Sequence, residues 1–262
     1  MTRATIKLGL LAALAISVST NAPVLAQKAK PAVAAVKPGV LDAEATAALD
    51  RMGAYLRSLK TFQLISTATT EKVYGNGQKL QFLQRTTYTI GGPSLMRVKI
   101  ETDAQQREVF YNGTTFTIAA PRAGKYIELP ATGTIGQVLT RAYDEWGLDF
   151  PVQDLFRWGD AAATAPRPSE GFKVGAATIG ERMTDHYAFR QPGVDWQIWI
   201  DQGDKPLPRK MVIVNMEDPA QPEYVAYLNW DVTPTIADGR FDFKPASTDT
   251  RIDLKQFAAP AK

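Results

Sequence analysis

The sequence predicts an α+β protein in which a large, curved antiparallel β-sheet is capped by α-helices. Three observations lead to this prediction. One amphipathic helix precedes a long series of segments rich in β-branched and aromatic residues. Turn signals such as Asn-Gly separate those segments. A second helical stretch then interrupts the series near its middle. The apolar faces of such helices need a surface to cover, and a sheet with one dry face provides it.

The first 40 residues are predicted to lie outside the folded domain. Residues 1–26 have the pattern of a cleaved secretory signal peptide, with two basic residues, an apolar stretch and small residues up to Ala26. That stretch has about 11 residues, whereas a membrane-spanning helix takes roughly 20. Residues 27–40 are expected to form a disordered Ala/Lys/Pro linker, and the domain is expected to span 41–257. The signal peptide predicts a periplasmic location, and no transmembrane segment is expected after cleavage. We also expect the mature chain to be a monomer.

Composition excludes several classes of chemistry. The chain has no Cys and one His, which rules out disulfides, thiol nucleophiles, cysteine-based metal sites and the HExxH zinc motif. No cofactor and no metal site are expected. Five of the 30 Lys and Arg residues, and none of the 27 Asp and Glu residues, precede residue 41. The domain is therefore nearly neutral, which argues against nucleic acid as a partner.

The clearest helix is predicted over residues 41–60. Its apolar residues follow the 3, 4, 7 spacing of one helical face; they are Leu41, Ala45, Ala48, Leu49, Met52, Leu56 and Leu59. Asp42 and Glu44 lie in its first turn and Arg57 and Lys60 in its last, as the helix dipole prefers.

Two β runs are predicted, with a helical insert between them. The predicted strands are 62–74, 79–90, 95–102, 108–111, 115–119 and 125–129, then 172–179, 184–190, 194–201, 209–216 and 223–230. In the insert, Thr134 and Gln137 have the spacing of a capping box that begins a helix. A shorter helix is predicted to begin at Pro151, and residues 241–245 are expected to make a last short contact.

Catalysis has little support in the sequence. His186 is the only imidazole, but no GxSxG nucleophile motif accompanies it, so a structural role is predicted. The acidic pairs lie at helix starts, within a helix or in turns, where solvated carboxylates are common. These pairs are Asp42/Glu44, Asp144/Glu145, Asp201/Asp204 and Glu217/Asp218. No catalytic residue is predicted, and a hydrolase is the least favoured function class.

The stretch from Asp185 to Lys210 resembles a known family. It reads DHYAFRQPGVDWQIWID and continues after Gln202 as GDKPLPRK. It is similar to a family of predicted periplasmic proteins of unknown function from Gram-negative bacteria, and the amino-terminal helix and the Tyr74–Gln78 hairpin agree. The resemblance covers about residues 41–255. That family is in turn similar to the LolA/LolB superfamily of lipoprotein carriers, which includes the RseB-type sensor.

The resemblance implies a fold and a class of ligand, but no catalytic residues. The fold would be an unclosed β half-barrel, with helices around 41–60 and 134–158 as a lid over a hydrophobic cavity. The function would be that of a non-enzymatic carrier for a lipid acyl chain or a lipoprotein-like hydrophobic ligand. The chain lacks the lipid-anchoring Cys of LolB-like receptors, which implies a soluble, LolA-like mode. No motif aligns with the closing arginine of LolA carriers.

Nine apolar residues at dry-face strand positions are the predicted cavity lining. They are Met96, Val98, Ile100, Trp196, Ile198, Ile200, Met211, Ile213 and Trp230. The prediction depends on register, because a shift of one residue turns the whole set of a strand to the other face. The alternative is a sensor or interaction module whose core is filled and whose surface or strand edge binds another envelope protein.

Overall fold

The computed structural model describes residues 39–146 and 167–253. The predicted signal peptide at 1–26, most of the predicted linker and the helix predicted from Pro151 lie outside the described residues. Helix α1 spans Ala43–Ser58 and helix α2 spans Ile135–Trp146. The strands are β1 Thr61–Val73, β2 Lys79–Gly91, β3 Met96–Thr102, β4 Gln106–Tyr111, β5 Thr115–Ala120, β6 Lys125–Pro130, β7 Glu170–Ile179, β8 Arg182–Gln191, β9 Val194–Asp201, β10 Pro208–Asn215, β11 Glu223–Asp231 and β12 Thr250–Arg251.

All twelve of these strands form one open sheet. Their order is β12-β6-β5-β4-β3-β2-β1-β11-β10-β9-β8-β7. The pairs are antiparallel except for the parallel pairing of β12 with β6. Two antiparallel meanders, β1–β6 and β7–β11, are joined because β1 pairs with both β2 and β11. The predicted fold class, a large antiparallel sheet with helices, is confirmed; the two-residue strand β12 was not predicted.

The sheet has an inner face, which carries the core, and an outer face. Leu64 of β1 marks the inner face, where the register places it between Tyr88 of β2 and Trp230 of β11. All three side chains belong to the hydrophobic core. The buried residues of both helices belong to the same core; they are Ala45, Ala48, Leu49, Met52, Leu56, Val138 and Ala142. The helices therefore cover the inner face.

Helix α1 is fixed at its start to strand β7. The Asp42 carboxylate caps the helix by accepting a hydrogen bond from the Glu44 backbone N–H at 2.9 Å. The Asp42 N–H donates to the Gly171 carbonyl at 2.8 Å. The Lys173 Nζ lies 2.8 Å from Glu44 Oε1, and this partner raises the pKa of Lys173 against the opposing effect of burial. The predicted helix is thus confirmed, and its first turn is tied to the sheet edge.

Helix α2 begins at the predicted capping box. The Gln137 N–H donates to Thr134 Oγ1 at 3.3 Å, and the Thr134 N–H donates to Gln137 Oε1 at 2.9 Å. At the other end of the helix, the Trp146 ring lies 5.3 Å from the ring of Phe116 in β5. The helix therefore packs on the first meander.

The chain after β11 packs on the outer face. The Phe243 ring lies 5.4 Å from that of Phe110 and 4.9 Å from that of Tyr126. The Phe241 ring lies against Gly91, where an added Cβ would be only 2.5 Å from Phe241 Cζ. The contact predicted at 241–245 is present as aromatic packing without a strand.

Candidate ligand-binding site on the inner face

The nine residues predicted to line a cavity all lie on the inner face. Six of them are buried in the core: Met96, Val98, Ile198, Ile200, Met211 and Trp230. The other three, Ile100, Trp196 and Ile213, are half-buried and pack against that core. The structure thus brings the nine together on one face, and their role in ligand binding stays a prediction.

A band of side chains, here called the inner-face band, crosses six neighbouring strands. In the first meander, register pairs Ile100 of β3 with Thr86 of β2, and Thr86 with Ser66 of β1. In the other meander, it pairs Tyr224 with Ile213 and Ile213 with Trp196. The four apolar and aromatic members of the band are half-buried; they are Ile100, Trp196, Ile213 and Tyr224. The band therefore offers apolar surface on the helix-covered face.

Two hydroxyl groups lie in the middle of the band. Ser66 Oγ and Tyr224 Oη are both buried, and neither makes a hydrogen bond of good geometry within the described residues. Burial raises the pKa of the Tyr224 phenol, and the nearby Ser66 hydroxyl opposes that rise. A buried polar group without a partner costs about 1–3 kcal/mol. Each of these hydroxyls can donate a hydrogen bond to a ligand oxygen.

Ser66 and Tyr224 were not predicted to line the cavity, because only apolar positions were considered. The alternation of side chains between the two faces of a strand could have identified both. Ser66 lies between Leu64 and Ala68 in alternation, and Tyr224 alternates with Ala226. A polar residue in register with buried neighbours is expected to face the core.

His186 lies away from the band, on the outer face. Its ring stacks on Trp199 at 3.9 Å between centroids, and its Nε2 lies 3.0 Å from Gln197 Oε1. The Lys210 Nζ lies 4.6 Å from the Trp199 ring on the neighbouring strand. His186, Trp199 and Lys210 thus form a row of packed side chains across three strands of the outer face.

The stability of the protein is expected to depend on the protonation of His186. Burial lowers its pKa, the Gln197 hydrogen bond opposes this, and Lys210 adds to the lowering. The unfolded chain therefore binds the proton more readily than the folded chain. The contribution of His186 to the free energy of unfolding is fully present above the unfolded pKa near 6.5 and is lost as the pH falls below it. Urea unfolding at pH 7.5 and 5.5 should show a larger loss for the wild type than for His186→Gln. Equal losses in the two proteins would contradict the lowered pKa of His186 in the folded chain.

The acidic residues considered from the sequence have structural partners in several cases. Asp42 caps α1, and Asp201 Oδ2 lies 2.6 Å from Arg209 Nη2 in a partly buried ion pair. Within residues 39–146 and 167–253, no cluster of three or more His, Asp or Glu side chains is arranged to hold a metal ion. In the same ranges, no helix has both the length and the apolar character needed to cross a bilayer.

Several solved structures are similar to this chain at low sequence identity. An uncharacterised conserved protein from Thermus thermophilus is 11% identical, with a TM-score of 0.44, over 79% of this chain and 98% of that one. Lipoprotein LppX of Mycobacterium tuberculosis is 11% identical, with a TM-score of 0.44, over 74% and 97%. A LolA superfamily protein from Nitrosomonas europaea is 12% identical, with a TM-score of 0.34, over 76% and 97%. No curated protein matches the chain significantly.

One protein family matches most of the described chain. The match covers residues 45–255 and so includes all twelve strands, α2 and all but the first two residues of α1. It confirms the resemblance inferred from the 185–210 stretch and the Tyr74–Gln78 hairpin. The chain therefore belongs to the family described as "Predicted periplasmic protein (DUF2092)".

Proposed function

We propose that this chain is a non-enzymatic periplasmic carrier that holds a lipid acyl chain, or a lipoprotein-like hydrophobic ligand, against the inner-face band. One observation carries the proposal: the apolar members of the band remain half-buried on the face that the helices cover. Such surface favours an apolar ligand, because burial of each CH₂ group contributes about 0.8 kcal/mol. A chain of about 16 carbons could therefore bind well after its ordering costs.

The two hydroxyls of the band support a ligand that carries an oxygen at its polar end. Ser66 and Tyr224 can each donate a hydrogen bond, and an ester or carboxylate oxygen accepts such bonds. A fatty acyl group has this combination of a long apolar chain and one acceptor group.

The periplasmic location rests on two further points. Residues 1–26 have the pattern of a cleaved signal peptide, and the family is described as periplasmic. We expect the mature chain to be a monomer.

Displacement of a fluorescent fatty acid by unlabelled fatty acids of increasing length tests the proposal. For the mature protein, the Kd should fall by up to about fourfold for each added CH₂ until the band is covered. Tyr224→Phe should weaken binding severalfold at every length, because it removes one donor. Tyr227→Phe, on the outer face of the same strand, is the matched control and should have no effect. A Kd independent of chain length would contradict the carrier proposal.

A second candidate is an envelope sensor or interaction module with a filled core. The burial of six of the nine predicted lining residues favours it. In that case fatty acids of all lengths would fail to bind, and a protein partner would have to be sought.

A further inference from the structure

A cluster of positive charge lies over strands β2 and β3 on the outer face. Here a cavity of about 240 Å³ is lined by Arg85, Thr87, Thr89, Arg97, Lys99, Glu101 and Arg240. Register pairs Arg85 with Glu101, Thr87 with Lys99 and Thr89 with Arg97. The floor of the cavity is therefore a two-stranded patch, and Arg240 comes from the segment after β11. Four cations line the cavity against one carboxylate.

Two of the four cations form ion pairs, and the guanidinium groups of Arg85 and Arg240 do not do so among the described residues. Lys99 Nζ lies 2.8 Å from Glu101 Oε1, and Arg97 Nη2 lies 2.6 Å from Glu108 Oε2 just outside the cavity. Among the described residues, neither Arg85 nor Arg240 has an acidic side chain within ion-pair distance. The cavity thus remains positive after Glu101 inside it and Glu108 beside it are counted.

Arg97 is half-buried, and Arg240, which is exposed, lies near enough for the charges of the two guanidinium groups to interact. The Arg97 Nε is buried and has no hydrogen-bond acceptor among the described residues. Burial and the charge of Arg97 lower the pKa of Arg240, while Glu108 opposes the lowering. Arginine stays protonated at neutral pH in any case, so the two like charges repel each other. An anion between them would remove the repulsion and supply the missing acceptor.

Arg240 is held in place by its neighbours along the chain. The Phe241 ring packs against Gly91, and the Phe243 ring packs against Phe110. Between them, Asp242 Oδ1 accepts a hydrogen bond from Asn112 Nδ2 at 3.1 Å. The three residues that follow Arg240 are thus anchored to the sheet, which reduces the ordering cost of binding.

We infer that this outer-face cavity binds a phosphate group, either as free phosphate or in a lipid headgroup. Guanidinium groups bind phosphate oxygens through paired N–H donors, and the hydroxyls of Thr87 and Thr89 add further donors to the same wall. The proposal is independent of the inner-face ligand, because the cavity lies on the opposite face of the sheet.

Thermal unfolding of the mature chain in phosphate, against chloride at equal ionic strength, tests the site. At a phosphate concentration ten times Kd, the Tm of the wild type should rise by about 3–6 °C. Arg240→Gln should abolish the rise. Without phosphate, its Tm should be equal to or above that of the wild type, because a repulsion is removed. Arg51→Gln, an exposed arginine of α1, is the matched control for charge and should keep the full rise.

Vesicles distinguish the two sources of phosphate. Co-sedimentation with phosphatidylglycerol vesicles that is lost in Arg240→Gln, and kept in Arg51→Gln, would identify a lipid headgroup. A Tm rise in phosphate without vesicle binding would identify free phosphate. The inference is overturned if phosphate and vesicles both fail to bind, or if the two variants lose binding equally.

Discussion

Leu64→Ala is expected to lower the free energy of unfolding by about 3 kcal/mol, within the range of about 2–5 kcal/mol for buried leucines. Leu64 is 0% exposed and lies in β1, between Tyr88 and Trp230 on the neighbouring strands. Because β1 joins the two meanders, a cavity at this position removes contacts with both. Equilibrium unfolding in urea measures the loss, and an unchanged m-value would show that the two meanders still unfold together.

The matched control is Ile65→Ala, at the next residue of the same strand. Ile65 points to the outer face and is half-buried, so its truncation removes less packed surface. We expect a loss of about 1 kcal/mol or less. If both variants lost the same stability, Leu64 would not be in the core of the sheet, and the assignment of the inner face would be wrong.

Ile213→Lys is expected to weaken acyl-chain binding by at least about tenfold. Ile213 is half-buried at the centre of the second meander's part of the inner-face band, in register with Tyr224 and Trp196. An ammonium group at this position must either lose its water of hydration when the ligand binds or keep that water between itself and the acyl chain. Either outcome weakens binding. A tenfold loss corresponds to about 1.4 kcal/mol, well within the cost of placing a charge in an apolar site. Displacement of a fluorescent fatty acid measures the change.

Val214→Lys serves as its control. Val214 follows Ile213 directly in β10, is also half-buried, and points to the outer face. The substitution adds the same charge to the same strand and should change the Kd by less than about twofold, within the scatter expected for a surface substitution. Similar losses in both variants would indicate that β10 had been disrupted and would remove the support for binding on the inner face.

Local features of the fold were predictable from the sequence because they depend on neighbouring residues. The strand predicted over 194–201 has the same bounds in the structure. Thr134 and Gln137 form the predicted capping box, and the hairpin at Asn76-Gly77 joins β1 to β2. Turn chemistry and capping act over two to four residues, so a single sequence contains them in full.

Features that depend on distant contacts were not predictable. The pairing of β1 with β11 joins residues more than 150 positions apart, such as Leu64 and Trp230. Alternation predicts which side chains share a face within one strand, but not which strands are neighbours. The outer-face cluster also depends on contacts between residues distant in sequence, because Arg240 lies near Arg97 only once the segment after β11 has packed on the sheet. β12, with two residues, is too short to produce a periodic pattern.

Native mass spectrometry of the mature protein purified from periplasm, with organic extraction of the bound material, tests the central proposal most directly. The proposal predicts a stoichiometric lipid or acylated peptide on the wild type and on Val214→Lys, and its loss from Ile213→Lys. A clean mass of the polypeptide alone, unchanged after incubation with lipids, would contradict the carrier function and leave a protein-binding module.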